Sequence, residues 1–479
     1  MAALGGAPAA GSTTQQSLVE DEAQMLRSGP LARKAALDDA AALGADGVRA
    51  VVEWRALAPA RRARRRPAGF DPADPADYPA ARWAALDDLV RGTRARGLFL
   101  LLSPSFPGPR WASGCAPQRG RCRPGGRAYG AFVAALGRRY SGRYADGRGA
   151  TLPRVDRWSF GNEPNQPSRL RPQYARRGGA TYAAAAVAYR AMVRAGIRGL
   201  RATGHAGDEM LLGETSPIGR TTGRPATRPV PPAAFVRTLL CLGRAAAMRG
   251  CRNPRRLRVS GFAHHPYPRG GSAPPRTRGR RATEITLASA GRLVRLLDLG
   301  ARRGRIPAGL SIHYTEHGFQ TDPPDGRFGV PLARQGEYLN QSDWIAFRNP
   351  RIATVAQYKL VDDALESSFQ TGLRFADGTP KPAYDAYRLP LWVSRRGPAR
   401  LRVYGQLRPL AAGAAAPVEL QHAPLAGAGF RTVRTIAVRS ATNAFLVTVA
   451  RREGRWRLRW LPPGGGPPLH SREALAADR

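Results

Sequence analysis

The sequence predicts a (β/α)8 barrel followed by a small antiparallel β-sandwich. Three observations carry that expectation. Between about residues 17 and 390, short β-rich apolar runs alternate with helical stretches, with eight such runs in all. The long Pro/Arg/Gly-rich segments at 55–80, 106–126, 216–231 and 266–283 each follow a run, where a barrel places the loops of its functional face. After about residue 395 the pattern switches to a period of two: in "RWRLRW", Trp456, Leu458 and Trp460 share one face and three arginines the other.

The strands are expected at 17–21, 47–54, 97–105, 155–163, 209–217, 258–268, 309–319 and 352–361. Helices are expected at 31–43, 80–96, 127–140, 179–200, 232–246, 284–301 and 335–346. "LGADGVRAVVEW" illustrates one junction: a helix stops at Leu43-Gly44, and an apolar strand starts after a short loop. The competing fold is an open doubly wound sheet, which usually carries a glycine-rich phosphate turn after its first strand. "SLVEDEAQ" has no such turn. The chain therefore divides into residues 1–16, a barrel over 17–394 and a sandwich over 395–479. The first 16 residues are expected to be disordered, or the remnant of a signal peptide that begins upstream.

Composition narrows the function. No run of eighteen apolar residues occurs, so no membrane span is expected. The formal charge of +42 points to nucleic acid at first sight. However, the 76 basic residues include only Lys34, Lys359 and Lys381 as lysines, and the arginines run along the whole chain. That is the codon signature of a GC-rich genome, and no nucleic-acid partner is expected. The cluster "RRARRRP" at 61–67 reads as a solvated loop, with an acidic glycan as the sharper alternative. Four cysteines fall in two close pairs, Cys115–Cys122 and Cys241–Cys251, without zinc-site spacing. Two local disulfides are the simplest reading, and they imply an oxidising, extracellular compartment. No metal and no cofactor are expected, and the chain is expected to act as a monomer.

Candidate chemistry sits at strand ends. "DRWSFGNEPNQP" places Glu163 where the fourth strand stops, and "HYTEHGFQT" places Glu316 where the seventh stops. Strands four and seven face each other across a barrel mouth, and two opposed carboxylates are the equipment for cleaving a glycosidic bond. Asn162 can hydrogen-bond a sugar hydroxyl. Arg49, on strand two, would keep Glu316 ionised, and the charge of Glu316 would raise the pKa of Glu163. Tyr314 shares strand parity with Glu316. Of the adjacent His264 and His265, His265 is chosen because it shares parity with Tyr267. Trp54 and Trp111 lie on the expected face and are candidates for sugar stacking, whereas Trp158 is read as core.

The "W-x-x-x-NEPN" of strand four and "TEHGFQT" of strand seven together resemble the clan A glycoside hydrolases, the retaining TIM-barrel enzymes that include families five and thirty-nine. The resemblance spans about residues 17–390. It implies that Glu163 is the general acid/base and Glu316 the nucleophile, with Arg49 and "HHPYP" in supporting places. Where that pattern has an aromatic, often Trp, near the end of strand eight, this chain offers Tyr358. The expected function is a secreted retaining glycosidase acting on an oligo- or polysaccharide. The alternative is a non-catalytic barrel that binds glycan or cell wall.

Overall fold

The structure is a computed structural model. It describes residues 11–477 apart from 13, 115–121, 148, 178, 244–250, 252–253, 412–413, 428 and 440. Eight parallel strands close a barrel: β1 Gln16–Glu20, β2 Gly47–Glu53, β3 Phe99–Ser105, β4 Arg157–Ser159, β5 Glu209–Thr215, β6 Gly261–His264, β7 Ser311–Tyr314 and β8 Ile352–Tyr358. Each strand pairs with its sequence neighbours, and β1 pairs with β8, Gln16 opposite Thr354 and Glu20 opposite Tyr358, to close the ring. This is the (β/α)8 TIM barrel that the alternation of runs and helices predicts. Inside it, Leu18, Leu101, Leu211, Ala263 and Ala356 form a buried layer, so the barrel is filled rather than hollow.

Helices follow every strand: α1 Pro30–Ala42, α2 Ala80–Ala95, α3 Gly126–Arg139, α4 Ala184–Ala202, α5 Pro232–Leu239, α6 Ala290–Arg302, α7 Leu332–Phe347 and α8 Pro382–Arg388. Seven match the sequence-based expectation. The eighth, α8, has seven residues, too few for a helical period to stand out. α1 opens on Pro30, whose fixed φ suits a first turn, and it ends before Gly44 at φ +74°.

The C-terminal strands form two antiparallel sheets. β10 (Arg400–Gln406) pairs with β9 (Leu391–Arg395) and β13 (Ala444–Ala450). β11 (Ala416–Ala423) pairs with β12 (Arg431–Val438) and β14 (Arg455–Trp460), and β14 pairs with β15 (Leu469–His470). Trp456, Leu458 and Trp460 are all buried between the sheets, as the period-two pattern requires. The first strand of this unit begins at Leu391, ahead of the boundary at 395 drawn from the sequence.

The sandwich is packed hard against the barrel. Trp344 and Phe347 of α7 meet Trp392 and Tyr404 in one buried cluster. Arg408 pairs with the buried Asp343 at 2.7 Å. A Cβ on Gly44 would lie 2.1 Å from the backbone of Arg408, so glycine is needed there for the two units to approach.

Cys241 and Cys251 form a disulfide with their Cα atoms 5.4 Å apart. The Cys115–Cys122 pairing lies outside the described residues, because Cys115 does. Among the described residues, no helix is long and apolar enough to cross a membrane.

Candidate active site

Carboxylates gather at the C-terminal mouth of the barrel because five strands end, or are extended, in a glutamate. Glu20 ends β1, Glu53 ends β2 and Glu214 lies one residue before the end of β5. Glu163 lies four residues beyond the end of β4 and Glu316 two beyond the end of β7. A cavity of about 390 Å³ opens here, lined by Glu20, Glu22, Glu53, Asn162, Glu163 and Glu316 among others. A volume of that order suits a small ligand.

The chain reaches this geometry through strained backbone. Glu163 and Glu214 both have positive φ, 43° and 51°, rare for a residue with a side chain. The N–H of Glu163 donates to the carbonyl of Glu214 at 2.9 Å, which ties the end of β4 to the end of β5. Just upstream, Gly161 sits at φ +82°, where a Cβ would be 2.5 Å from the ring of Phe106.

Arg49 is the buried hub. Its guanidinium reaches Glu20 at 2.5 Å, Glu214 at 3.0 Å and Glu316 at 3.2 Å, and it donates to Asn162 Oδ1 at 2.9 Å. His265 forms a second bridge: Nε2 lies 2.9 Å from Glu214, and Nδ1 lies 3.2 Å from Glu163 and 3.4 Å from Glu316. The Tyr267 hydroxyl donates to Glu316 Oε2 at 3.3 Å. Glu163 has a side chain 25 % exposed and Glu316 one 12 % exposed.

Sequence reasoning placed Arg49, Asn162, Glu163, His265, Tyr267 and Glu316, and the structure brings these six together. Tyr314 is buried and packs near His264 at 6.3 Å between ring centres, away from the cavity lining. The structure does not bring Trp54 and Trp111 to the cavity either. The chain turns into a helix at Trp54 itself, and its indole stacks on Phe132 of α3 at 5.1 Å. Trp111 meets Trp54 edge-on and donates from Nε1 to the carbonyl of Pro59. Both consolidate the β2 loop.

Three residues escaped the sequence reading. Glu20 and Glu214 could have been found by the rule that selected Glu163, a carboxylate at a strand's C-terminal end. Phe369 could not. It is 50 % exposed in the loop after β8, lines the cavity and packs edge-on against Tyr358 at 5.3 Å.

The electrostatics run against both expectations for this pair, a raised Glu163 and a Glu316 held down by Arg49. Burial pushes the Glu163 carboxyl up, but the hydrogen bond and charge of His265, with Arg169 and Ser216, outweigh it and leave the group below the usual carboxylate range. Burial raises Glu316, the charge of Glu163 adds to the rise, and His265 and Arg49 only partly offset it. In the substrate-free cleft Glu163 is therefore the stronger acid of the pair. Glu163 accepts the hydrogen bond from His265 Nδ1 and feels Arg169 and Ser216 as well.

Glu163, His265 and Glu316 are the one group among the described residues whose ligand atoms could surround a metal, all within 4.8 Å of one another. The guanidinium of Arg49, 3.2 Å from Glu316, opposes a second cation there.

Fold and site together define a TIM barrel with a carboxylate-lined mouth. No family model matches the sequence, and neither does any curated protein. In three dimensions the chain is similar to a glucosidase from Croceicoccus marinus, with 13 % identity and a TM-score of 0.52 over 93 % of this chain and 94 % of that one. It also aligns with a GH5_18 protein from Bifidobacterium longum subsp. infantis, with 16 % identity and a TM-score of 0.48 over 78 % of each chain. At such identities the likeness is one of fold.

Proposed function

We propose that this protein is a retaining glycoside hydrolase that cleaves O-glycosidic bonds of an oligo- or polysaccharide, with Glu316 as nucleophile and Glu163 as general acid/base. The observation that carries the reading is the closeness of the two carboxylates. Their oxygens approach within 4.8 Å across the mouth. Retaining enzymes hold the pair about 5–5.5 Å apart, and inverting ones leave about 6.5–9.5 Å for a water between them. The sequence resemblance to clan A and the glucosidase identity of one structural neighbour support the same class.

In this reading Glu316 attacks the anomeric carbon while Glu163 protonates the departing oxygen, giving a glycosyl-enzyme ester. Water then attacks that carbon, gives its proton to Glu163 and releases Glu316. Arg49 and Tyr267 orient the nucleophile. The oxygen of Asn162 is held by Arg49, which leaves its NH2 to donate to a sugar hydroxyl. The barrel, through α8, is the catalytic unit, and the sandwich that begins at Leu391 is ancillary. The Cys241–Cys251 disulfide supports secretion.

A panel of chromogenic glycosides and polysaccharides tests this. Glu316→Gln should lower turnover by about four orders of magnitude on any substrate found. Glu163→Gln should retain the first step on dinitrophenyl glycosides, whose leaving group needs no proton. Azide should then restore turnover and give a glycosyl azide of retained configuration. An inverted product would overturn the assignment. Unaltered glycan binding with no turnover in the wild type would instead establish a binding protein.

A further inference from the structure

Glu214 takes no part in lining the cavity, yet it is the most heavily coordinated carboxylate of the site. It is fully buried and accepts from Arg49 at 3.0 Å, Thr315 Oγ at 2.6 Å and the Ser159 hydroxyl. A carboxylate with that many donors stays ionised. Burial alone would raise it, but Arg49 and the hydrogen bonds from His265 and Ser159 press its pKa down to about 2.

An ionised Glu214 fixes the ring beside it. His265 Nε2, 2.9 Å away, must carry a hydrogen to make that contact. Nδ1 then faces Glu163 at 3.2 Å and Glu316 at 3.4 Å. A bare Nδ1 would turn a lone pair on two carboxylate oxygens, whereas a proton on it makes both contacts attractive. We infer that His265 stores the proton that Glu163 delivers to the leaving group, and that Glu214 is the positioning residue that keeps the ring charged and oriented. The inference rests on the glycosidase reading and deepens it.

The groups facing the ring agree. Glu163, Glu214 and Glu316 approach from β4, β5 and β7, and Arg49 from β2 is the opposing charge. Tyr267 and His264 come from its own segment. The tyrosine is held neutral by burial, and His264 is pressed to about 4, mainly by burial, and is neutral too. Burial lowers the affinity of His265 for a proton, but Glu316, Glu163 and Glu214 together push it up to about 9.

In glycosylation the proton passes from Nδ1 to Glu163 Oε1 and on to the glycosidic oxygen. The bond from that oxygen to the anomeric carbon breaks as the bond to Glu316 forms. The leaving group departs as a neutral alcohol, His265 is neutral and Glu163 is again anionic. In the second step the attacking water loses a proton to Glu163, and that proton returns to Nδ1.

The test is ring-nitrogen NMR on the full chain labelled with 15N-histidine, with the His265 signal assigned by its loss in His265→Gln. The wild-type ring should titrate near pH 9 with Nε2 protonated throughout. Glu214→Gln should lower its proton affinity by at least about thirty-fold, since the charge that faces Nε2 is gone. The alkaline limb of kcat should move to lower pH by a similar factor for glycosides with poor leaving groups and stay in place for dinitrophenyl glycosides. A purely structural Glu214 would lower stability and move neither titration nor limb. A wild-type ring titrating below pH 7 overturns the inference even if Glu214→Gln does not fold. A ring titrating near 9 in a protein that cleaves no glycoside overturns the glycosidase reading and leaves the stored proton standing.

Discussion

Arg49 shows how much a single side chain can hold. It sits fully buried among three carboxylates, and among the described residues it is the one cation paired with Glu20, whose carboxyl burial otherwise drives upward. Arg49→Met keeps the volume of the stem but leaves buried charge uncompensated, at a cost of about 3–5 kcal/mol. The urea midpoint should fall accordingly, and any activity should fall with it because Asn162 and Glu316 lose their common donor. An unchanged midpoint would mean that the carboxylates are neutral in the folded protein. At this scale the sequence was legible only where a residue announces itself. Glu163 stands out between two amides and a proline, and Glu316 ends an aromatic strand. The place of Glu214 at a strand end could be read from "EMLLGETSP", but its role could not. Its part depends on Arg49, Ser159, His265 and Thr315, which come from four other strands or strand ends, and no local pattern shows that meeting.

At the scale of elements, most of the barrel could be read in advance because parallel strands buried on both faces are continuous apolar runs. "GVRAVVE" is such a run, and so is "FLLLSPS". Reading a residue's direction off a strand's end is less secure, since the end may curl at once into something else. Trp54 is the example: a four-residue helix begins on it and sends the indole to α3 instead of the mouth. The aromatic surface at the cavity comes from Tyr267, Tyr358 and Phe369, the last in the loop after β8. An exposed ring held edge-on against a tyrosine suits the apolar face of a sugar. Phe369→Ala should raise KM about ten-fold with kcat little changed, the loss expected for one stacking contact. A fall in kcat at constant KM would place Phe369 in the chemistry instead.

For the whole molecule, the sandwich is bound to the barrel by the aromatic cluster around Trp344, by the buried Arg408–Asp343 pair and by the close approach at Gly44. Burial raises the Asp343 carboxyl, and Arg408 is its main offset. A chain ending at Leu389 keeps all eight strands and α8 but strips Asp343 of its partner and uncovers Trp344 and Phe347. It should aggregate or melt well below the full chain, as size-exclusion chromatography and thermal unfolding will report. A stable monomer with the melting temperature of the full chain would show that the two units are independent. The sequence marked the sandwich by its period of two, but not its attachment, because Gly44, Asp343 and Arg408 are far apart along the chain and ordinary taken singly.

The convergence on Arg49 also bears on how such a mouth can change over generations. Glu20, Asn162, Glu214 and Glu316 all lean on the same guanidinium. Replacing any one of them alters the charge balance felt by the others, so the effects of substitutions here will not add. A lineage drifting toward another chemistry would be trapped at each single step and would have to alter this set in concert, while Phe369 and the exposed loops remain free to vary one residue at a time. Descendants of this protein should therefore differ in what they bind well before they differ in what they do to it.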